Sequence, residues 1–284
     1  MLLFDRIYVG DSMKKRKIAF CLFLSFIIIL NYALINLVMW SIDNKKNALL
    51  EDKILDSTNI EETNNQEDEI YNAPTDDKNN PYWDYIKMNL INVDFKELKK
   101  ENKDVVGWIQ VNGTNINYPF VQTNNNSYYL THSIDKKYTD AGWVFLDYRN
   151  DLNTDIKNMI LYAHARKNTT MFGSLKNILK NNWYNDINNH VIKLSTEKEN
   201  TLWQVFSIYK IPTTNDYIQT DFISDYEYNE FLQMIKNRSQ FKFNTNLNAN
   251  DRIITLSTCY TNDQKVVLHA KLIKREKRDL SNQE

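Results

Sequence analysis

Between Ile18 and Trp40 the chain runs 23 residues without a charge, IAFCLFLSFIIILNYALINLVMW. A helix rising about 1.5 Å per residue needs roughly 20 residues to cross a hydrocarbon core about 30 Å thick, so this run is long enough to span one. Its polar members, Ser25, Asn31 and Asn36, are single residues in a long apolar context. The cations Lys14, Lys15, Arg16 and Lys17 before it outweigh Lys45 and Lys46 after it. The positive-inside rule therefore places the N-terminus in the cytoplasm and all later residues outside. A cleaved signal peptide would carry a shorter apolar region and small residues at its cleavage site, and SIDNKKNALLED has no such pattern. The expectation is an uncleaved, single-pass signal-anchor at residues 18–40.

Charge then divides the 284 residues into parts, although the net charge is only −1. Residues 1–17 carry a net +3 and read as a basic cytoplasmic N-terminus. Residues 41–80 carry a net −7, rich in Asn, Asp and Glu with no sustained apolar period. They read as an acidic flexible stalk, with a frayed helix near Ala48–Leu55. Residues 81–284 are long enough for one sizeable core and read as a single domain. There is no basic excess of the kind that accompanies nucleic-acid binding.

Scarcities narrow the chemistry further. With Gly 5 in the whole chain, no glycine-rich nucleotide-cradling loop can be written. Cys 2 excludes a disulfide scaffold and any cysteine-rich zinc module. No pair of His and Cys stands at a metal-ligand spacing, and no cofactor is implied.

In the domain, Tyr82–Asn102 reads as a helix with Trp83, Ile86, Leu90, Phe95 and Leu98 on one face. Short β-branched and aromatic runs follow: VVGWIQV, NINYPFV, AGWVFLDY, NMILYA, NHVIKLS, TLWQVFSIYK, RIITLST and KVVLHAKLI. Asn112-Gly113 between the first two is a hairpin signal. Ser127–Thr131, Met171–Lys180 and Ser224–Asn237 read as helices between strands. Many short strands with few helices indicate a mostly β chain, a closed or nearly closed barrel with peripheral helices.

An exported domain with one cysteine cannot form an internal disulfide. Cys259 is that cysteine, since Cys21 lies in the apolar span. An unpaired thiol there reads as reactive or as a small buried hydrophobe, and its place where a strand meets a polar loop favours display. A thiol nucleophile needs a base or cation nearby. His164, closing the run MILYA, is the best base. His132 follows a Tyr/Leu-rich helix, and His190 lies in an Asn-rich connection and reads as solvent-exposed. His269 sits mid-strand, about 13 Å along from Lys265 at about 3.3 Å per residue, too far to serve a thiol at the strand end. Lys265, at the start of the last strand, is placed to face Cys259 across the loop, as an oxyanion donor or as an ordinary charged strand end.

These segments resemble a sortase, most like class B, over nearly all of residues 82–273. DVVGWIQVNGTNINYPFVQTNNNSYYL resembles that family's opening strands and helix, and AGWVFLDYRND the next strand. NMILYAHARKNTTMFGSL resembles the histidine segment, and RIITLSTCYTNDQKVVLHAKL the T-L-x-T-C strand, loop and final strand. The resemblance implies an eight-stranded sortase-type barrel. It implies a cysteine transpeptidase that cleaves a sorting motif in surface proteins and holds the cargo as a thioester on Cys259. The cargo then passes to a peptidoglycan amine, with His164 as acid/base. The family's arginine on the final strand falls at Lys265, Ala163 stands where a glycine is usual, and the preceding loop is short. Arg252 and Arg166 are the alternative guanidinium donors. The alternative function is a weak or inactive sortase-like barrel that binds peptides or partners. A papain-like protease is set aside, because its cysteine signature is missing and the histidine precedes the cysteine.

Overall fold

The computed structural model describes residues 2–63, 68–71, 73–74, 77–261 and 263–278, with side chains from residue 15. The chain divides into two compact units, Met1–Leu49 and Leu50–Glu284.

The first unit is helical. It belongs to α1 (Leu2–Ser57), which covers the whole uncharged run. Phe20, Phe23, Phe26, Ile28, Tyr32 and Trp40 all expose more than half their surface, as an apolar helix without a protein partner must. The polar residues in the run are satisfied locally: Ser25 Oγ donates to the Cys21 carbonyl, Asn31 Nδ2 to Ile27 and Asn36 Nδ2 to Tyr32, at 2.8–2.9 Å. Internal satisfaction of this kind is what hydrocarbon demands of a helix.

The second unit is built from β1 (Ile60–Thr63), β2 (Glu69–Ile70), α2 (Tyr82–Tyr85), β3 (Leu90–Val93), α3 (Lys96–Glu101), β4 (Val105–Val111) and β5 (Asn117–Val121). It continues through β6 (Phe145–Leu146), β7 (Asn158–Tyr162), α4 (Asn181–Asn185), β8 (Val191–Thr196), β9 (Glu199–Pro212), α5 (Asp225–Asn237), β10 (Ile253–Cys259) and β11 (Gln264–Lys277). Eight strands run in the order β10-β7-β6-β5-β4-β8-β9-β11, and β11 pairs with β10 to close the barrel. The β7–β10 and β5–β6 pairs are parallel and the other barrel pairs antiparallel.

Register explains the filling. Leu146, Leu161, Leu256, Leu268 and Ile208 are successive partners across five strands and therefore share one face. All five are fully buried in the main core cluster, a layer of branched side chains across the barrel. Gly113 turns the β4–β5 hairpin with φ +69, a backbone conformation that costs other residues about 1–2 kcal/mol. On the outside, α5 buries Tyr228, Phe231, Leu232 and Ile235 against Phe206, Tyr209, Ile253 and Val267 of the β9, β10 and β11 strands. The spacing of those four residues is one helical stripe. Ser224 caps α5, its Oγ accepting from Glu227 N at 3.2 Å.

Two expectations are corrected. The helix over Tyr82–Asn102 is broken: α2 and α3 are short, and Leu90–Val93 between them is a strand. The apolar spacing there also fits a helix, but LINV pairs with β1 from Ile60↔Val93 to Thr63↔Leu90. Val93 N also donates to Ser195 Oγ on β8 at 3.2 Å. The acidic stretch 41–80 is likewise not a featureless stalk ahead of a domain starting at residue 81. Within the compact unit Ile54 is 4% exposed in the core, β1 pairs with β3, and β2 pairs with β11 at Ile70↔Lys274 and Glu69↔Arg275. The acidic residues there find cations: Lys274 pairs with Asp68 at 2.9 Å and Lys277 with Glu69 at 2.7 Å.

Candidate active site

Cys259 is the last residue of β10, and Lys265 is its partner in the first turn-proximal pair of β11. Partners across a strand pair point to the same face, and here the two tips meet, Lys265 Nζ lying 3.1 Å from Cys259 Sγ.

On the other side of β10, Ser257 is in parallel register with Tyr162 of β7. His164 follows the end of β7 by two residues, as Cys259 follows Ser257, so the two leave neighbouring strand ends. Thr258 fastens the two ends, its Oγ1 donating to the Ala163 carbonyl at 2.7 Å. His164 Nε2 donates to the Leu130 carbonyl at 2.8 Å, so the imidazole is held at the barrel rim by the 3₁₀ turn Tyr128–Leu130.

The loop that carries His164 is closed on itself. Phe172 N donates to the His164 carbonyl at 3.0 Å, and Ala165 bridges to Met171. Thr169 and Met171 take φ of 68 and 52, left-handed values that non-glycine residues adopt at a cost of about 1–2 kcal/mol each. Gly173 is required by close approach: a Cβ there would stand 2.3 Å from the Arg166 carbonyl oxygen. Behind the loop, Met171 N donates to Tyr118 Oη, and Tyr118 in turn donates to Glu51, both at 3.2 Å. Burial raises the Glu51 carboxyl to about 7, with the Tyr118 bond opposing.

The strand before His164 is positioned by a buried carboxylate. Asp147 accepts from Arg149 Nε at 2.9 Å and Nη2 at 2.7 Å, from Tyr162 Oη at 2.9 Å and from Asn126 Nδ2 at 3.0 Å. Burial pushes this carboxyl up, but those hydrogen bonds bring it net below the usual carboxylate range. Arg149 also donates to the Ile218 carbonyl and Asn158 to that of Gln219, which fastens the β9–α5 loop over β7. From that loop Tyr217 Oη reaches Ser257 Oγ at 2.9 Å, two residues from the thiol.

The remaining histidines are structural. His190, expected in solvent, is buried: Nε2 donates to the Tyr184 carbonyl at 2.9 Å, and the ring packs on Trp183, Tyr184 and Phe243. The Asn-rich flanks hid an aromatic cage formed with a segment 50 residues away. His132 stacks on Tyr128 at 4.1 Å. His269 is fully buried between Tyr209 and Thr255, and burial pushes its imidazole down to about 3. Arg252 is removed from contention, since it precedes the far end of β10 and binds Glu199 at 2.9 Å. Among the described residues no three His, Cys, Asp or Glu side chains are grouped to hold a metal. Sequence reasoning missed Tyr217, Asp147 and the Leu130 carbonyl, whose proximity to the site depends on pairings distant in the chain.

Residues 109–273 match the family model described as Sortase domain. The chain is 39% identical over 184 residues to Sortase B of Staphylococcus aureus, covering 63% of this chain and 75% of that relative. It is 33% identical over 184 residues to Sortase B of Listeria monocytogenes, covering 63% and 74%. The crystal structure of sortase B from B. anthracis in complex with AAEK1 superposes with a TM-score of 0.65 at 33% identity, over 82% of this chain and 99% of that one. A Staphylococcus aureus sortase B–substrate complex gives 0.60 at 38% identity, over 63% and 84%.

Proposed function

The chain belongs to the sortase family, in its class B-like branch, and is a sortase-type transpeptidase of surface-protein anchoring; from that premise we propose how and where this chain acts. Residues 18–40 anchor it in the cell membrane, with the N-terminus cytoplasmic and the catalytic domain extracellular. Its substrates are surface proteins bearing a C-terminal sorting signal, and its acceptor is an amine of the cell-wall peptidoglycan.

The observation that carries this reading is the 3.1 Å contact of Lys265 Nζ with Cys259 Sγ, beside the His164 strand end. Cys259 attacks the scissile carbonyl as the thiolate, and the new C–S bond puts negative charge on the carbonyl oxygen. The Lys265 ammonium is the charge available to meet that oxyanion. His164 gives its Nε2 proton to the departing amine, exchanging the Leu130 carbonyl for it, and the C–N bond breaks. The thioester is then attacked by the acceptor amine, His164 takes a proton back, and the thiolate leaves. One amide replaces another, so the reaction requires no oxidant, nucleotide or metal.

The test is intact-mass analysis of the full chain in detergent micelles, incubated with a panel of sorting-motif peptides. The expected result is a mass adduct on Cys259 that an amine acceptor discharges, with no adduct in Cys259→Ala. Absence of adduct and product across the panel would overturn the reading and leave a peptide-binding barrel.

A further inference from the structure

The His164 loop takes its shape from bonds within it and its position from bonds outside it. Within it, Phe172 N donates to the His164 carbonyl at 3.0 Å and Ala165 bridges to Met171, which ties Met171 to the residue after the histidine. Outside it, the chain around the β4–β5 hairpin makes two contacts. Asn115 Nδ2 donates to Thr169 Oγ1 at 2.9 Å on the exposed side, and Met171 N donates to Tyr118 Oη at 3.2 Å in the interior. The interior bond falls on a residue with φ 52. A left-handed residue other than glycine persists only where its surroundings hold it there.

Tyr118 is itself held at both ends. Its ring stands edge-on to Trp143 with centroids 6.0 Å apart, and its hydroxyl, having accepted from Met171, donates to Glu51 Oε2 at 3.2 Å. A hydroxyl engaged as both acceptor and donor has no free rotation left. Glu51 is fixed in turn through α1. Ile54, one turn on, is buried in the core, and its carbonyl accepts from Thr58 Oγ1 at 2.6 Å. The charged groups facing Glu51 are Arg166, from the loop itself, and Asp52, its neighbour on α1. A connected path therefore runs from α1 through Glu51, Tyr118, Met171 and Ala165, and ends one residue from the imidazole. It begins ahead of the family-matching residues 109–273. Cys259 and Lys265, on β10 and β11, stand outside it.

We propose that Tyr118 and Glu51 are positioning residues for His164, which fasten its loop to the end of α1 so that the imidazole meets the departing and incoming amines. The role rests on the transpeptidase reading above. His164 acts in the transition state rather than on the bound peptide, so misplacing it lowers kcat and leaves KM in place.

The test compares steady-state kinetics of the full chain in detergent micelles, with a sorting-motif peptide and an amine acceptor, between wild type and three variants. Tyr118→Phe is expected to lower kcat about tenfold with KM changed by less than about twofold. Glu51→Leu, which leaves the Tyr118 hydroxyl without its acceptor, should lower kcat about fivefold. Glu51→Gln, which keeps a carbonyl oxygen there, should restore most of that loss. Two measurements need no sorting peptide. Alkylation of Cys259 by iodoacetamide, followed by peptide mapping, should run at the wild-type rate in every variant. Amide hydrogen exchange over residues 165–173 should be about fivefold faster in Tyr118→Phe and Glu51→Leu.

If the peptide is processed but Tyr118→Phe leaves kcat unchanged, or Glu51→Gln and Glu51→Leu behave alike, the positioning role is overturned and the transpeptidase stands. A fall in alkylation in step with kcat would make the effect one on the whole fold, and overturns the role too. Should Tyr118→Phe not fold, the two Glu51 variants carry the same comparison. If wild type processes no peptide, the transpeptidase reading falls, and unchanged exchange in the loop overturns the fastening as well.

Discussion

At residue 265 an ammonium occupies the place where the family resemblance leads one to expect a guanidinium. The two ions differ in more than shape. An ammonium offers one compact charge on a flexible stem, whereas a guanidinium offers a rigid planar fork. Lys265 Nζ lies 3.1 Å from Cys259 Sγ, and in the proposed reaction it is the charge nearest the oxyanion that forms. Lys265→Gln is expected to lower kcat/KM for peptide cleavage by about 10²–10³, the usual loss when an oxyanion donor is removed. Lys265→Arg should keep at least wild-type kcat/KM, and a loss as large as that of the Gln variant would show that the position does not face the reacting oxygen. That Cys259 stands beside Lys265 was legible in the sequence, because a strand end, a polar loop and six-residue spacing are local facts. His190 was not. Its flanks are Asn-rich, but its burial is decided by Tyr184 and Phe243, and nothing local announces them.

Among the elements, the loop from His164 to Gly173 combines left-handed non-glycine residues with a glycine that admits no side chain. Its support is the end of α1, through Glu51 and Tyr118. The Glu51 carboxyl has a folded value near 7 against an ordinary 4.5, so between these pH values the folded state holds more protons than the unfolded chain. Stability from this group is therefore full below about 4.5 and is lost as pH rises through about 7. Compared with wild type in thermal unfolding over that window, Glu51→Gln is expected to remove this decline. Ile54, on the same stretch of α1, is core rather than tether, and Ile54→Ala should cost about 2–4 kcal/mol in denaturant unfolding. An unchanged midpoint would return this stretch to the role of a linker. The sequence showed the strands of the barrel by their β-branched runs, but it could not show Leu90–Val93 leaving a helical pattern. A four-residue strand is decided by its partner, and that partner lies in the acidic stretch whose composition resembles a solvated linker.

Across the whole molecule, the acidic stretch and the basic end of β11 answer one another through Asp68, Glu69, Lys274 and Lys277. These pairs join the segment ahead of the family match to the strand near its far end. They include the buried Lys274–Asp68 pair, with side chains only 3% and 4% exposed, where loss of one partner leaves a charge stranded. Asp68→Ala is thus expected to destabilise by about 3 kcal/mol in denaturant unfolding, whereas Asp84→Ala, at an exposed i,i+3 pair, should change little.

The parallel pairing of β10 with β7 has a further consequence, in time rather than in space. Ser257 and Tyr162 are neighbours across the sheet although 95 positions separate them, and β10 is enclosed only when β11 pairs on its other side. A chain emerging N-terminus first can assemble the β4–β5 hairpin early, because its contacts are local. It cannot bring the thiol to its lysine until residues 264–277 have arrived. The thiol therefore meets its lysine only after β11 has been made, and a chain stalled short of β11 holds Cys259 without that neighbour.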